Sequence, residues 1–216
     1  MLSYDSSLTS QFCAVLNSKK MRTVIVFNHP YEGSYCNALL DAVTKGLQKA
    51  KHEVDLIHLD RDSFNPAMSA ADLKAFVEHR AVDPQVMEYH ERLKKADHLI
   101  FIFPIWWDIM PATTKGFIDR VLSPGLAYDH HPRGFGLLPL LKNLKSVTVI
   151  TTMNKPAIMY SLLIGNLIRK VMIRSVFKTM GYKNVSWISF TSVKRVSHEK
   201  RVKWLTNLEN RLSNFN

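Results

Sequence analysis

Hydrophobic positions follow two alternating periods from Arg22 to the end of the chain. Short, continuous apolar runs are typical of strands that are buried on both faces of a sheet, whereas apolar residues spaced three and four apart indicate helices. The apolar runs predict five strands, at 23–27, 54–59, 98–103, 146–152 and 185–190. The helical spacing predicts six helices, at 34–51, 69–80, 84–96, 113–122, 159–180 and 197–212.

Strands that alternate with helices indicate an α/β fold, a doubly wound parallel sheet with helices on both faces. Because crossovers are right-handed, few arrangements of five strands remain, and we expect the flavodoxin-like order 2-1-3-4-5. A chain of 216 residues has the length of one domain, which we expect to span 21–216. Residues 1–20 precede the first strand as an extension with a short amphipathic helical pattern, and this extension is dispensable if translation begins at Met21.

Three segments follow strands at the place where such a sheet binds ligands. Ligands bind outside the carboxyl ends of the strands, beside the switch point between the first and third strands, and this rule selects 28–36, 104–111 and 151–160. In the first segment, His29 and Ser34 precede a helix whose free amides favour an anionic group such as a pyrophosphate. The alternative for this segment is simple N-capping by Ser34.

The second segment contains two adjacent tryptophans, Trp106 and Trp107, between two prolines. Because each indole N–H needs a partner when it is buried, a pure core role is the less favoured interpretation. A planar aromatic ligand or a subunit interface, where tryptophan is enriched, would use them. The third segment offers hydroxyl, amide and backbone donors at 151–156, and the sequence alone does not distinguish a binding loop from a polar connection.

Composition excludes several classes of protein. Hydrophobic residues are 46% and charged residues 22% of the chain, as in a soluble globular protein, and the longest apolar run, 157–168, is too short to span a bilayer. Cys13 and Cys36 match neither a disulfide framework nor a metal site, which favours a reducing, cytoplasmic location and no metal. The chain has no GxGxxG, phosphate-loop or nucleophile-elbow motif.

Positive charge is concentrated near the C-terminus. The net charge is +11, and 165–216 holds 11 lysines and arginines against two glutamates. Such a region can indicate nucleic acid, a membrane surface or an anionic ligand, or simply a solvated helical face. Because no nucleic-acid-binding motif accompanies the charge, we expect no nucleic-acid partner.

Several short motifs resemble one known family. They are FNHP at 27–30, SY at 34–35, AD at 96–97, FPIWW at 103–107, PA at 111–112, KGF at 115–117, DRV at 119–121 and AY at 127–128. In this pattern the chain is similar to the flavodoxin-like NAD(P)H:quinone oxidoreductases, which include DT-diaphorase, the bacterial modulator-of-drug-activity quinone reductases and the ancillary flavoproteins of potassium-efflux channels. The similarity runs from about Met21 to Tyr160, and 104–128 is its specific part.

The resemblance implies a homodimer with non-covalent FAD, or FMN as the alternative, that uses NAD(P)H as co-substrate and reduces a quinone-type acceptor. It assigns the flavin phosphates to His29, Ser34 and Tyr35. It assigns the edge of the isoalloxazine ring, mainly through backbone N–H groups, to Pro104, Ile105, Trp106 and Trp107. It assigns the pyrimidine end of the ring to Thr151, Thr152 and Asn154.

The same resemblance implies roles for three further residues. Tyr160 matches a tyrosine near flavin O2, and Tyr128 matches one that closes the site from the partner subunit. Asn166 stands in the substrate pocket where DT-diaphorase-like members have a histidine, so it can only hydrogen-bond. The third segment also differs, since it reads TTMNKP where those members have TTGG.

The implied reaction is a two-electron, ping-pong hydride transfer from NAD(P)H through flavin N5 to the acceptor. In it, Tyr160 is the catalytic hydrogen-bond donor and Trp106 is the stacking platform. One alternative is a regulatory flavoprotein that docks on a membrane transporter, or on a membrane surface, through the basic region 165–216. The other alternative is a nucleic-acid-binding α/β protein without flavin.

Overall fold

The computed structural model describes residues 20–132 and 134–215. Within them lie seven strands: β1 (Arg22–Phe27), β2 (Glu53–His58), β3 (His98–Pro104), β4 (Tyr128–His130), β5 (Leu137–Pro139), β6 (Ser146–Thr152) and β7 (Val185–Phe190). The same residues form six α-helices: α1 (Tyr35–Lys49), α2 (Ala70–Val77), α3 (Pro84–Lys94), α4 (Ala112–Val121), α5 (Ala157–Leu162) and α6 (His198–Ser213). A π-helix spans Arg169–Lys178.

Five of the strands form one parallel sheet in the order β2-β1-β3-β6-β7. Because β6 and β7 are the fourth and fifth predicted strands, the predicted order 2-1-3-4-5 is confirmed. The central strand β3 is buried at every position, as its continuous apolar run predicts. The strand order reverses between β1 and β3, and the carboxyl ends of these strands therefore border a crevice.

Helices cover both faces of the sheet, which confirms the doubly wound prediction. On one face, α1 and α6 bury an apolar cluster that includes Leu47 and Leu208. On the other face, α3, α4 and the π-helix bury a larger cluster that includes Phe117 and Phe177. The sheet is therefore a rigid platform, and its carboxyl edge positions the loops described below.

The prediction of one continuous helix over 159–180 is wrong. The helical path ends after α5, because Gly165 and Asn166 have φ values of +75° and +54°, in the left-handed region that glycine and asparagine tolerate best. The chain then resumes as the π-helix. This break brings the amide of Ile168 to the hydroxyl of Tyr160, to which it donates at 3.1 Å.

A β-hairpin of β4 and β5 was not predicted from the sequence. Its strands are three residues long, which leaves too little alternation to detect. The hairpin carries Tyr128, and the loop between its strands carries Phe135, whose surface is 90% exposed. It forms a separate two-stranded sheet, and its residues Tyr128 and Leu137 pack against the larger apolar cluster.

Residues 1–19 lie outside the described residues, and the amphipathic helix predicted there lies outside them too. Among the described residues, no helix combines the length and apolar composition needed to cross a bilayer. In the same part of the chain, no group of three or more histidine, cysteine or acidic side chains is arranged to hold a metal ion.

Candidate functional site

A cavity of about 610 Å³ opens at the carboxyl edge of the sheet, within the size range of small-molecule sites. Its walls come from the loops that follow β1, β3, β6 and β7. The residues that line it are His29, Gly33, Ser34, Tyr35, Ala38, Pro104, Ile105, Trp106, Thr152, Met153, Asn154, Val193, Lys194 and Arg201. Eight of these residues were predicted from the sequence as ligand-binding residues, and the cavity lies where the switch-point rule expects a ligand.

The N-terminus of α1 forms one end of the cavity. The hydroxyl of Ser34 accepts a hydrogen bond from the amide of Asn37 at 3.2 Å, and the carbonyl of Ser34 accepts one from the amide of Ala38. The amides of Tyr35 and Cys36 precede the first intrahelical hydrogen bond, so helix geometry gives them no acceptor inside the helix. Together with the helix dipole, they favour an anionic group at this end.

His29 adds a neutral hydrogen-bond donor beside this helix end. Its Nδ1 atom accepts from the amide of Tyr31 at 3.1 Å, which assigns the ring proton to Nε2. Burial lowers the pKa of His29 and outweighs the raising effect of the negative charge of Asp60. The imidazole is therefore neutral near pH 7 and donates through Nε2.

Two cations complete this end of the cavity, and sequence reasoning did not identify either of them. Lys194 follows β7, and its amide donates to the side-chain oxygen of Asn154 at 3.3 Å. Arg201 lies in the first turn of α6, and its guanidinium holds the preceding loop through the carbonyls of Val193 and Val196. The only available signal was their position after the fifth strand, in the basic region 165–216.

Residues 106–109 form a tight turn after β3, which we call the tryptophan turn. Trp106 and Ile109 exchange backbone hydrogen bonds of 2.9 and 3.2 Å. The two residues between them, Trp107 and Asp108, have φ values of +48° and +66°, as in a type I′ turn. The ring of Trp106 lines the cavity and meets the edge of His29 at 6.1 Å between ring centroids, whereas the side chain of Trp107 is 99% exposed.

This geometry corrects one detail of the sequence prediction. The amide of Ile105 donates to the carbonyl of Thr152 at 2.8 Å, and the amide of Trp106 donates to Ile109. Pro104 has no N–H, so Trp107 is left as the one residue of 104–107 whose amide is free to donate to a ligand. The side chain of Trp106 is therefore the main contribution of this segment to the cavity.

The last two residues of β6, Thr151 and Thr152, lie in different surroundings. Thr151 is fully buried, and its hydroxyl accepts from the indole of Trp187 and donates to Ser189. Thr152 lines the cavity and its hydroxyl lies 3.2 Å from the Cys36 sulfur. Burial raises the pKa of Cys36 to about 11, against the effect of its hydrogen bond to Thr152, so this thiol stays protonated.

Five predicted site residues lie outside the lining of the cavity in the described chain: Trp107 and Thr151, described above, and Tyr128, Tyr160 and Asn166. The hydroxyl of Tyr160 donates to the carbonyl of Asp108 at 2.9 Å and accepts from Ile168, and burial raises its pKa. Tyr128 is half-buried in β4, and the side-chain Nδ2 of Asn166 donates to the hydroxyl of Ser161 at 3.0 Å. Because Tyr128 was assigned to the site of the partner subunit, its role stays a prediction, as do those of Tyr160 and Asn166.

Comparison with known proteins gives consistent matches over this fold. A family model described as flavodoxin-like fold matches residues 21–212. An uncharacterised NAD(P)H oxidoreductase of Escherichia coli is 34% identical over 116 residues, which are 53% of this chain and 59% of that protein. NAD(P)H dehydrogenase (quinone) 1 of Cavia porcellus is 29% identical over 161 residues, which are 65% of this chain and 56% of that protein. The match thus spans somewhat more than half the length of each of these two relatives.

A solved structure is similar over nearly the whole chain. It is the NAD(P)H:quinone oxidoreductase from Methanothermobacter marburgensis, with 27% identity and a TM-score of 0.81. The alignment covers 92% of this chain and all of that one.

Proposed function

We propose a function from the premise that this chain belongs to the family of proteins with a flavodoxin-like fold. We propose that it is a flavin-dependent oxidoreductase, which transfers two electrons from NAD(P)H to a quinone-type acceptor. The observation that carries the proposal is the cavity at the switch point, whose lining combines the ring of Trp106 with anion-binding groups. The names of the relatives from Escherichia coli, Cavia porcellus and Methanothermobacter marburgensis support NAD(P)H as the donor. Two of those names support a quinone as the acceptor.

The residues of the cavity fit a flavin. The end formed by Ser34, the first turn of α1, Lys194 and Arg201 is suited to phosphate, because it combines free amides with two positive charges. Trp106, which is half-exposed, offers its aromatic ring to a planar ligand in the same cavity. A flavin bound there would supply the redox chemistry, since its ring takes up and releases a hydride equivalent. We propose FAD, with FMN as the alternative.

Polar side chains that line the cavity would orient the ligand and hydrogen-bond to it. The hydroxyl of Thr152 and the side chain of Asn154 line the cavity next to Pro104 and Ile105. Preorganised donors of this kind stabilise negative charge where it develops. They are fixed by the sheet, because Thr152 is the last residue of β6 and its carbonyl accepts from Ile105.

The proposed reaction is tested by initial rates with NAD(P)H and a water-soluble quinone. Because both substrates would use one open face of the cavity in turn, we expect ping-pong kinetics, with parallel lines in a double-reciprocal plot. The control is the same protein after removal of flavin, which should not oxidise NAD(P)H until flavin is restored. Intersecting lines would contradict the shared site, and no oxidation by the flavin-loaded protein would contradict the function.

We further propose that the protein is a homodimer. An exposed apolar patch on and beside α5 consists of Trp107, Ile158, Met159, Leu162 and Leu163. Two neighbouring residues do not belong to the patch, since Tyr160 is buried and Ile164 packs against the core. A patch of this kind on a monomer is unfavourable in water, and pairing with a second copy would cover it.

Leu162→Glu is expected to convert the dimer to a monomer in sedimentation at micromolar concentration, because it places a charge in the proposed interface. Leu73→Glu is the matched control, since Leu73 is also an exposed leucine but lies on α2. The control should stay dimeric. A parent protein that sediments as a monomer with flavin bound would contradict the proposal.

Tyr160→Phe separates a structural role of this tyrosine from a catalytic one. It leaves the buried amide of Ile168 and the carbonyl of Asp108 without their partner, so we expect the free energy of unfolding to fall by about 1–3 kcal/mol. Unfolding by urea measures this change. If the hydroxyl also acts as a donor in the reaction, reduction of the loaded protein by NAD(P)H should slow by roughly 10- to 150-fold; an unchanged rate would reject the catalytic role.

A further inference from the structure

The backbone of the tryptophan turn needs contacts that hold it in place. Trp107 and Asp108 have φ values of +48° and +66°, a region that is unfavourable for side chains with a Cβ atom, especially bulky ones. Neither residue is a glycine, so the turn would relax to other conformations if only its own two hydrogen bonds closed it. Unfavourable backbone of this kind persists only where its surroundings fix it, and it clusters at functional sites.

Asp108 receives both contacts that fix the centre of the turn. Its carboxylate pairs with the ammonium group of Lys155, with Nζ 2.5 Å from Oδ1. Its carbonyl accepts the hydroxyl of Tyr160 at 2.9 Å. The side chains of Asp108 and Lys155 are 26% and 33% exposed, so the ion pair is partly shielded from water and is stronger than a fully exposed pair.

This ion pair joins the two neighbouring loops that follow β3 and β6 and contribute to the cavity wall. Asp108 follows Pro104, Ile105 and Trp106, whereas Lys155 follows Thr152, Met153 and Asn154, and all six of these neighbours line the cavity. The loops are otherwise joined by the hydrogen bond from Ile105 to Thr152 at the ends of β3 and β6. The ion pair therefore provides the second connection, farther from the sheet, where nothing in the strand register fixes the spacing of the loops.

We propose that Asp108 and Lys155 are positioning residues, whose ion pair fixes the tryptophan turn so that the ring of Trp106 is held at the flavin-binding cavity. The proposal rests on the proposed function, because it gives the turn a ligand to hold. Neither side chain lines the cavity, so both act through the backbone between them and Trp106. Without the ion pair, only a fraction of the molecules has the tryptophan turn in the conformation that binds the flavin ring. The apparent affinity for flavin falls in proportion to that fraction.

The first experiment measures the dissociation constant of FMN and of FAD, by quenching of flavin fluorescence, for Lys155→Met and Asp108→Asn. We expect binding to weaken by about 5- to 30-fold, between the effects typical of exposed and of buried ion pairs. Lys155→Arg should restore most of the affinity because it keeps the charge. Lys145→Met is the matched control, since Lys145 pairs with Asp97 at 2.7 Å at the opposite, amino edge of the sheet and should bind flavin as the parent does.

The second experiment follows hydrogen exchange at the amides of Trp106 and Ile109 in flavin-free protein. These amides close the turn, so their exchange should accelerate by about tenfold or more in Lys155→Met and stay unchanged in Lys145→Met. Parent-like exchange in Lys155→Met, or parent-like flavin binding with faster exchange, would overturn the proposal. A parent that binds no flavin would reject the proposed function, and the exchange data would still decide whether the pair fixes the turn.

Discussion

Replacing Arg120 with methionine is expected to lower the free energy of unfolding by about 3–5 kcal/mol, because it removes one side of a buried ionic cluster. Arg120 lies on α4, and its side chain is only 4% exposed. It donates to the carbonyl of Asn65 and to the carboxylate of Asp83, each at 2.6 Å, and to both carboxylate oxygens of Asp72 at 3.2 Å. These contacts join α4 to the start of α2, to the start of α3 and to the loop before α2.

Urea unfolding of parent and variant measures this effect. The matched control is Lys115→Met on the same helix, because Lys115 pairs with Asp119 one turn away and is half-exposed. Such a surface pair contributes about 0–1 kcal/mol. If the free energy of unfolding of Arg120→Met falls by less than about 1 kcal/mol, the ionic cluster contributes no more to stability than a surface ion pair does.

The same cluster makes stability depend on pH. Burial alone would raise the pKa of Asp72, but hydrogen bonds from the backbone and side chain of Ser69 and from Arg120 outweigh it, so this pKa lies below its ordinary value. A carboxyl group with a lowered pKa in the folded state contributes stability above its unfolded pKa of about 4, and this contribution disappears as the pH falls through the folded value. We therefore expect the stability of Arg120→Met to fall less steeply than that of the parent below about pH 4.

Trp106→Ala is expected to weaken flavin binding by roughly 10- to 100-fold, because stacking of a planar ring on an aromatic side chain contributes about 1–3 kcal/mol. The ring of Trp106 lines the cavity and is half-exposed, so its removal should change the free energy of unfolding little. Fluorescence titration with FAD and FMN, together with urea unfolding, measures both quantities.

Phe135→Ala is the control for this change, since Phe135 is an exposed aromatic residue on the hairpin of β4 and β5. It should bind flavin as the parent does. If Trp106→Ala also binds flavin with parent-like affinity, the flavin ring does not stack on Trp106. The proposed position of the flavin in the cavity is then wrong.

Most of the fold could be predicted because burial of the sheet leaves a clear pattern in the sequence. Strands such as β3, buried on both faces, read as continuous apolar runs, and chirality then restricts their order. The break at Gly165 and Asn166 was missed because the apolar spacing continues across it. The hydrophobic pattern records burial, and both segments on either side of the break are buried against the same face of the sheet.

The position of the site could also be predicted, but the roles of individual side chains could not. Thr151 and Thr152 are adjacent on β6, and successive residues of a strand point to opposite faces, so only the structure shows that Thr152 reaches the cavity. Lys194 and Arg201 are two of the 11 basic residues of 165–216. Their charge alone does not show which of these residues line the cavity. Tyr160 was predicted to contact a ligand, and only the structure shows that its hydroxyl is bonded within the chain.

The most direct test of the proposed function is the absorbance spectrum of the purified protein, with the flavin identified after release by denaturation. We expect a yellow protein with about one flavin per chain, because one cavity of suitable size and chemistry lies at the switch point of the sheet. Release without proteolysis would show that the flavin is bound non-covalently, and its identity would decide between FAD and FMN. A colourless protein that takes up neither FAD nor FMN on soaking would contradict the account.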